Sequence, residues 1–385
     1  MLLTPAGGGL ALSVTEPRIA HDALFFEAAE AARCVAAGRT QTDLRPLADS
    51  IATLRDHLSR GGPSTMTTSA PGGVDRSRLR LGTAPDSWGV WFAADPHQVT
   101  WDVYLDEVAR AGYQYTELGP QGYLPQDPEQ LKDELAARNL TCCGGTVFAG
   151  LHKGREALKE AKEAFGREAR LLRAVGAKHL VHLPEQWTDL HTGVAVQAAE
   201  IDPEQWRNLT AGTDELARYV FELYGVSLVF HPHVDTHVDT QERIERFLLD
   251  TDPAFVNLCL DTGHIAYCEG DNIEIVRRFP ERTTYVHLKS VDPVVRARAL
   301  AEKLPLSEAV RLGVMCEPFD GEPEMPPLLD ELAGLDRDIF CVVEQDLYPV
   351  APDIPLPIAA RTAGYYAGCG LRPLRRWPDA AVKVR

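Results

Sequence analysis

No stretch of this chain is long and apolar enough to span a membrane, because Gly, Pro, His or a charged residue interrupts every uncharged run. Positive charge is also short: 39 Lys and Arg stand against 56 Asp and Glu, a formal charge of −17. Such a field repels phosphate backbones, and no basic patch offsets it, so nucleic acid is excluded as a partner. The first fifteen residues are mildly apolar but carry no basic n-region, so no secretory leader is expected. Cysteine is scarce. The eight cysteines (34, 142, 143, 259, 268, 316, 341 and 369) form no CxxC and lie mostly in apolar runs, which predicts buried free thiols in a reducing cytosol. No GxGxxG follows any apolar run, which weakens a dinucleotide-binding sheet. The rest of the composition is that of a folded protein, with 45% hydrophobic and 25% charged residues. An acidic, cytoplasmic α/β protein is expected.

The 385 residues divide at Gly61–Ser77 (GGPSTMTTSAPGGVDRS), which has linker composition and no apolar periodicity. Ahead of it, residues 1–60 hold two helical patterns, Asp22–Ala37 and Leu47–Leu58. The second places apolar residues at 47, 51, 54 and 58. Two helices alone bury too little surface to stand as a domain. Behind the linker, residues 78–385 alternate between apolar runs and amphipathic helical patterns. The runs are Leu79–Thr83, Tyr115–Leu118, Thr141–Thr146, His179–Leu183, Ser227–His231, Asn257–Asp261, Tyr285–Lys289 and Phe340–Glu344; the helical patterns include Trp101–Ala111, Gln130–Arg138, Arg155–Val175, Glu204–Tyr224 and Thr240–Leu249. Strands apolar on both faces, each followed by a helix, predict a buried parallel sheet. Eight such repeats in about 300 residues fit a (β/α)8 barrel.

A barrel of this kind carries its chemistry at the C-terminal ends of its strands. There the fifth run ends in FHPH (His231, His233), the sixth in LDTGH (Asp261, His264), the seventh in VHLKS (His287, Lys289) and the eighth in VEQD (Glu344, Asp346); the second ends in TELGP (Glu117). Residues two apart on a strand share a face, so His231 with His233, and His287 with Lys289, can both look into the mouth. Singly, each has a structural explanation: Asp261 as the cap of a turn, His287 as a core histidine. Jointly, ionisable groups ending consecutive buried strands are costly without a partner or a metal. Two imidazoles and two carboxylates suit Mn²⁺ or Co²⁺ and admit Zn²⁺, whereas Mg²⁺ prefers oxygen alone. The aromatic loop Trp88–Phe92 after the first run offers Trp88 as a stacking surface for a sugar ring, with Glu117 or His233 bonding its hydroxyls.

The body resembles the xylose-isomerase-like barrel superfamily of sugar isomerases, epimerases and dehydratases. The segment LGTAPDSWGVWFAADPHQVTWDVYLDEVARAGYQYTELGPQGYLP resembles its inosose dehydratase branch, and FHPHVDTHVDT, LCLDTGHIAYCEGD, YVHLKSVDP and VEQDLYP continue the match over most of residues 78–350. The front run EAARCVAAGRTQTDLRPLADSIATLRDHLSR resembles the C-terminal end of inositol-dehydrogenase-type oxidoreductases, without their nucleotide-binding half. The superfamily pattern implies metal ligands at Asp261, His287 and Glu344. Its fourth ligand is usually a glutamate on strand five, where this chain has His231. The resemblance also implies a lyase that dehydrates a cyclic polyhydroxy ketone, 2-keto-myo-inositol, in inositol catabolism. His264 and Lys289 are then the catalytic pair, abstracting the proton alpha to the ketone and protonating the leaving hydroxide. A sugar isomerase or epimerase is the alternative, and a sugar-binding barrel the non-enzyme one. The expected partner is a small molecule, with homo-oligomerisation left open.

Overall fold

All eight expected strands form between Leu79 and Val343, and they close on themselves. A computed structural model of the chain describes residues 2–6, 9–13, 74–190 and 192–371. The strands are β1 (Leu79–Thr83), β2 (Tyr115–Pro120), β3 (Thr141–Ala149), β4 (His179–Pro184), β5 (Ser227–Phe230), β6 (Val256–Asp261), β7 (Thr283–Leu288) and β8 (Ile339–Val343). Each pairs in parallel with the next, and β8 pairs with β1 from Ile339↔Leu79 to Val343↔Thr83, closing the barrel. Its interior is packed by Ala84, Cys143, Val181, Val229, Cys259, Tyr285 and Val342, a filled core rather than a pore.

The helices cover the outside: α1 (Trp101–Ala111), α2 (Pro128–Ala137), α3 (Arg155–Val175), α4 (Pro203–Tyr224), α5 (Gln241–Asp250), α6 (Thr262–Tyr267), α7 (Asn272–Arg278), α8 (Pro293–Glu302), α9 (Leu306–Arg311), α10 (Met325–Ala333) and α11 (Pro355–Gly368). Local sequence sets their ends. Asp202 and Gln205 form a capping box with Pro203 at the first turn of α4. Gly112, Gly176 and Gly225 take the left-handed conformation that stops α1, α3 and α4. In α3 the buried stripe Leu158, Ala161, Phe165, Ala169 and Leu172 repeats every three to four residues, as an amphipathic helix requires.

Several boundaries differ from the sequence reading in a way that matters for the site. The fifth, seventh and eighth strands stop one residue short, at Phe230, Leu288 and Val343. His231, Lys289 and Glu344 therefore sit just beyond them, still held by backbone bonds. His231 N donates to His182 O at 3.0 Å and Glu344 N to Leu288 O at 3.1 Å. Lys289 N donates to Thr262 Oγ1 at 2.8 Å.

By internal contacts the chain divides into Met1–Gly73 and Val74–Arg385. In the first unit the strands Leu2–Ala6 and Gly9–Ser13 pair antiparallel; the helical patterns at 22–37 and 47–58 lie outside the described residues. The end of the predicted linker is tied into the second unit. Arg76 pairs with Asp330 at 2.7 Å and donates to the carbonyls of Pro326 and Cys369. No described helix is long and apolar enough to cross a membrane. Among the described cysteines, all are free; Cys142, Cys143, Cys259 and Cys341 are buried, and Cys268, Cys316 and Cys369 only partly so.

One buried carboxyl belongs to the scaffold. Glu168 of α3 accepts from Gln121 Nε2 at 3.0 Å, linking the helix to the loop after β2. Burial raises its pKa from the ordinary 4.5 to about 7. The native state then binds a proton that the unfolded chain has released, so stability falls as pH rises from about 4.5 to about 7 and stays lower above that range. Glu168→Gln removes the penalty. Its melting temperature is expected to match wild type near pH 4.5 and exceed it near pH 8, by a stabilisation of at most about 3 kcal/mol. Equal melting curves at both pH values would show that the carboxyl is not protonated in the native state.

Candidate active site

Asp261 ends β6 and has two jobs. Its Oδ1 accepts from Gly263 N at 2.9 Å and His264 N at 2.8 Å, capping α6, so the turn-capping explanation is correct as far as it goes. Its Oδ2 points the other way, 3.2 Å from His231 Nε2, 3.2 Å from Lys289 Nζ and 3.8 Å from His287 Nδ1. Glu344 Oε2 approaches the same ring of groups, 2.9 Å from His287 Nδ1 and 3.1 Å from Lys289 Nζ. His231, Asp261, His287 and Glu344 each offer one ligand atom, and these atoms lie within 4.8 Å of one another.

The donor set fits a divalent ion. His287 lies between two carboxylates: Nε2 donates to Glu117 Oε1 at 2.8 Å, which leaves Nδ1 as the atom facing Asp261 and Glu344. A carboxylate behind an imidazole fixes its tautomer and orientation for metal binding. Burial opposes charging His287, but Cys259 and the Glu344 and Glu117 carboxylates outweigh it and hold its pKa well above the usual imidazole range. The imidazolium thus supplies part of the positive charge the carboxylates require. Burial also opposes ionising Glu344, yet His287 and Lys289 bring its pKa down to about 2.

Glu117, expected to bond substrate, is almost fully buried although it borders the cavity. Tyr285 OH donates to its Oε1 at 2.9 Å and Thr146 Oγ1 to its Oε2 at 3.1 Å, so with His287 its oxygens are already engaged. Glu117→Gln is expected to weaken divalent-ion binding by roughly 10–100-fold, with turnover recovering in excess metal. Turnover lost at unchanged metal affinity would instead place Glu117 on the substrate.

Lys289 is buried among Asp261, Glu344 and Asp346, the last at 3.3 Å. Burial alone would favour the neutral amine; these carboxylates and Asp86 outweigh it and hold the pKa well above 10.5. Its Nζ also lies 3.0 Å from His264 Nε2. His264 is driven the opposite way, well below 6.5, by burial and by the neighbouring His233 and Lys289. The pair therefore meets as an ammonium donor and a neutral imidazole acceptor. Close approach depends on Gly263, where a Cβ would fall 2.5 Å from Lys289 Cγ.

Lys289, His231, His233, Glu117 and Glu344 line the main cavity at the strand ends; His264 stands behind its wall, its ring 3.8 Å from that of His233. His233 donates from Nδ1 to Val234 O at 2.6 Å, and burial depresses its pKa to about 3. Trp88 does not line the cavity. It is fully buried, with Nε1 donating to Glu107 at 2.8 Å and its ring edge-on to Tyr104. The short 3-10 turn Pro85–Trp88 rotates it inward and leaves Trp91, stacked on Tyr348, as the aromatic wall together with Phe148, Leu183, Leu190 and Leu306.

Asp86 and Gln186, polar groups of the cavity wall, escaped the sequence reading. Asp86 follows β1 and lines the cavity with Asp346. Burial first, then the Glu344 charge, raises the Asp86 pKa well above its ordinary 3.8. The signal available was an acidic residue just past a strand end, the same one that found the others. Gln186, after β4, lies 2.9 Å from His233 Nδ1 and has a buried Oε1 without a hydrogen-bond partner.

The chain's likenesses bear on its fold and family. Residues 105–357 match the family described as "Xylose isomerase-like TIM barrel". An inosose dehydratase of Geobacillus kaustophilus is 31% identical over 279 residues, spanning 70% of this chain and 88% of that protein. Another, of Geobacillus thermodenitrificans, is 29% identical over 301 residues, 77% of this chain and 99% of its own length. Among solved structures, the probable 3-DHS dehydratase AsbF of Bacillus anthracis superposes with a TM-score of 0.55 at 14% identity, covering 74% of this chain and 98% of its own. The IOLI protein with a binding zinc atom superposes at 0.53 with 15% identity, covering 75% and 96%. These two likenesses bear on the fold.

Proposed function

The chain belongs to the xylose isomerase-like TIM barrel family and is a lyase of the dehydratase kind, and from there we propose that it removes water from 2-keto-myo-inositol, a cyclic polyhydroxy ketone, with a divalent metal at the strand ends. The observation that carries this reading is the meeting, at one end of the barrel, of a four-residue ligand set with a lysine–imidazole pair and the carboxyls of Asp86 and Asp346. Simple sugar binding needs no such groups.

His231, Asp261, His287 and Glu344 would hold the ion. Bound there, Mn²⁺, Co²⁺ or Zn²⁺ would supply Lewis acidity to a ketone oxygen and a positive charge beside Lys289. Lys289 is the base: it would release its extra proton to solvent, the neutral amine held by its hydrogen bond to His264 Nε2, and then accept the proton alpha to the ketone. As the carbon–carbon double bond forms, the beta carbon–oxygen bond breaks, and the departing hydroxide takes a proton from Asp86 or Asp346, leaving as water. His264 thus acts through Lys289 rather than on substrate. Asp86 and Asp346, in place of a second member of the lysine–histidine pair, provide the acid.

The test is direct. Metal-loaded protein incubated with 2-keto-myo-inositol should generate the ultraviolet absorbance of a conjugated diketone, and a chelator should stop it. Exchange of the alpha proton with solvent deuterium, without absorbance, would mark an isomerase or epimerase instead. Binding with neither would mark a sugar-binding barrel.

A further inference from the structure

The quartet does not account for every ligand atom in this part of the barrel. Cys259 precedes Asp261 by two residues on β6, so both side chains face inward, the thiol one step deeper. Register sets the levels. Asp261 pairs with His287 and Cys259 with Tyr285, while Phe230 pairs with Leu258, so the next residue, His231, enters level with Cys259 rather than with Asp261. His231, Cys259 and His287 are all buried, and one ligand atom from each lies within 4.8 Å of the others. His231 also has a ring nitrogen, Nδ1, without a hydrogen-bond partner.

We propose that His231, Cys259 and His287 form a second, deeper metal position that takes thiophilic divalent ions such as Cd²⁺ or Zn²⁺. It shares both imidazoles with the quartet and so rests on the metal-site reading above, though not on the substrate. Donor chemistry separates the two positions. The upper one adds two carboxylates and suits harder ions; the lower one adds a sulfur, which soft ions prefer. Three protein ligands with one position left over is a coordination that zinc accepts. On binding, the S–H bond of Cys259 breaks as the sulfur–metal bond forms, and the proton passes to solvent. Because the imidazoles cannot serve two ions at once, a thiophilic ion in the lower position displaces the upper one. Such ions are therefore inhibitors of an enzyme that works with Mn²⁺.

The experiment reads metal binding, not turnover. Purified full-length protein is titrated with Cd²⁺, following the ultraviolet thiolate-to-cadmium charge-transfer absorption, and Mn²⁺ binding is followed by electron paramagnetic resonance. Wild type should develop the absorption as Cd²⁺ displaces Mn²⁺. Cys259→Ser and Cys259→Ala should lose it while binding Mn²⁺ as wild type does, and that retained Mn²⁺ binding reports that the variant has folded. His231→Gln, with the thiol intact, should lower the Cd²⁺ affinity of the same band and so covers the case in which neither cysteine variant folds. The same absorption and Cd²⁺ affinity in a folded cysteine variant, or in His231→Gln, would overturn the site; so would Cd²⁺ displacing Mn²⁺ from wild type without the absorption. A protein that shows the band but never dehydrates 2-keto-myo-inositol keeps this site and loses the function proposed above.

Discussion

Asp261→Ala is expected to lose divalent-ion binding and turnover together, and to melt at a lower temperature. One side chain explains both effects. Oδ2 lies within 3.8 Å of His231, His287 and Lys289, and no other described carboxylate oxygen is paired with all three. Oδ1 caps α6 through Gly263 N and His264 N, an interaction worth about 1 kcal/mol. Removing the charge also strips the buried Lys289 ammonium of one counter-ion. Breaking a buried pair costs about 3–5 kcal/mol, and here the cost lies below that range because Glu344 and Asp346 remain. Asp261→Asn separates the effects: its carbonyl oxygen still caps the helix, so melting should recover in part while metal binding does not. Metal analysis by mass spectrometry alongside calorimetry decides it. A folded Asp261→Ala protein with full metal content would remove Asp261 from the ligand set.

Lys289→Met should do the reverse: keep the metal and lose turnover by roughly 10²–10⁴-fold, the usual cost of one proton-transfer group. Methionine fills the space beside Gly263 but cannot carry a proton. His264→Gln is the more discriminating variant. Glutamine can still accept a hydrogen bond from Lys289 Nζ but cannot store a proton. If His264 only positions the lysine, the glutamine variant should stay near wild-type activity; if it takes the lysine's proton, the loss should approach that of Lys289→Met. Both assays belong in saturating metal. Recovery of both variants by added Mn²⁺ would show that the pair serves ion binding, and the base would have to be sought at His233.

The sequence alone pointed to the barrel and to the ionisable groups at its strand ends. Eight apolar runs alternating with amphipathic helices leave few ways to bury both faces of every strand, and ionisable residues stand out where such runs end. Asp261, His287, Glu344 and His231 were legible as strand-end ionisable groups, and the family resemblance, not their spacing, suggested them as four ligands. The tertiary structure decided what lies across the barrel and which way each group turns. Glu117 on β2 meets His287 on β7 only because the sheet closes, and that contact takes it from substrate to imidazole. Trp88 and Trp91 read alike in sequence until the 3-10 turn after β1 sends one into the core and the other to the cavity. Charge was likewise beyond any local reading. A lysine and a histidine at adjacent strand ends could each have been the neutral base. The sum of burial with Asp261, Glu344, Asp346 and Asp86 makes the lysine an ammonium and leaves His264 neutral, because a proton's free energy depends on every charge around it in space, not in sequence.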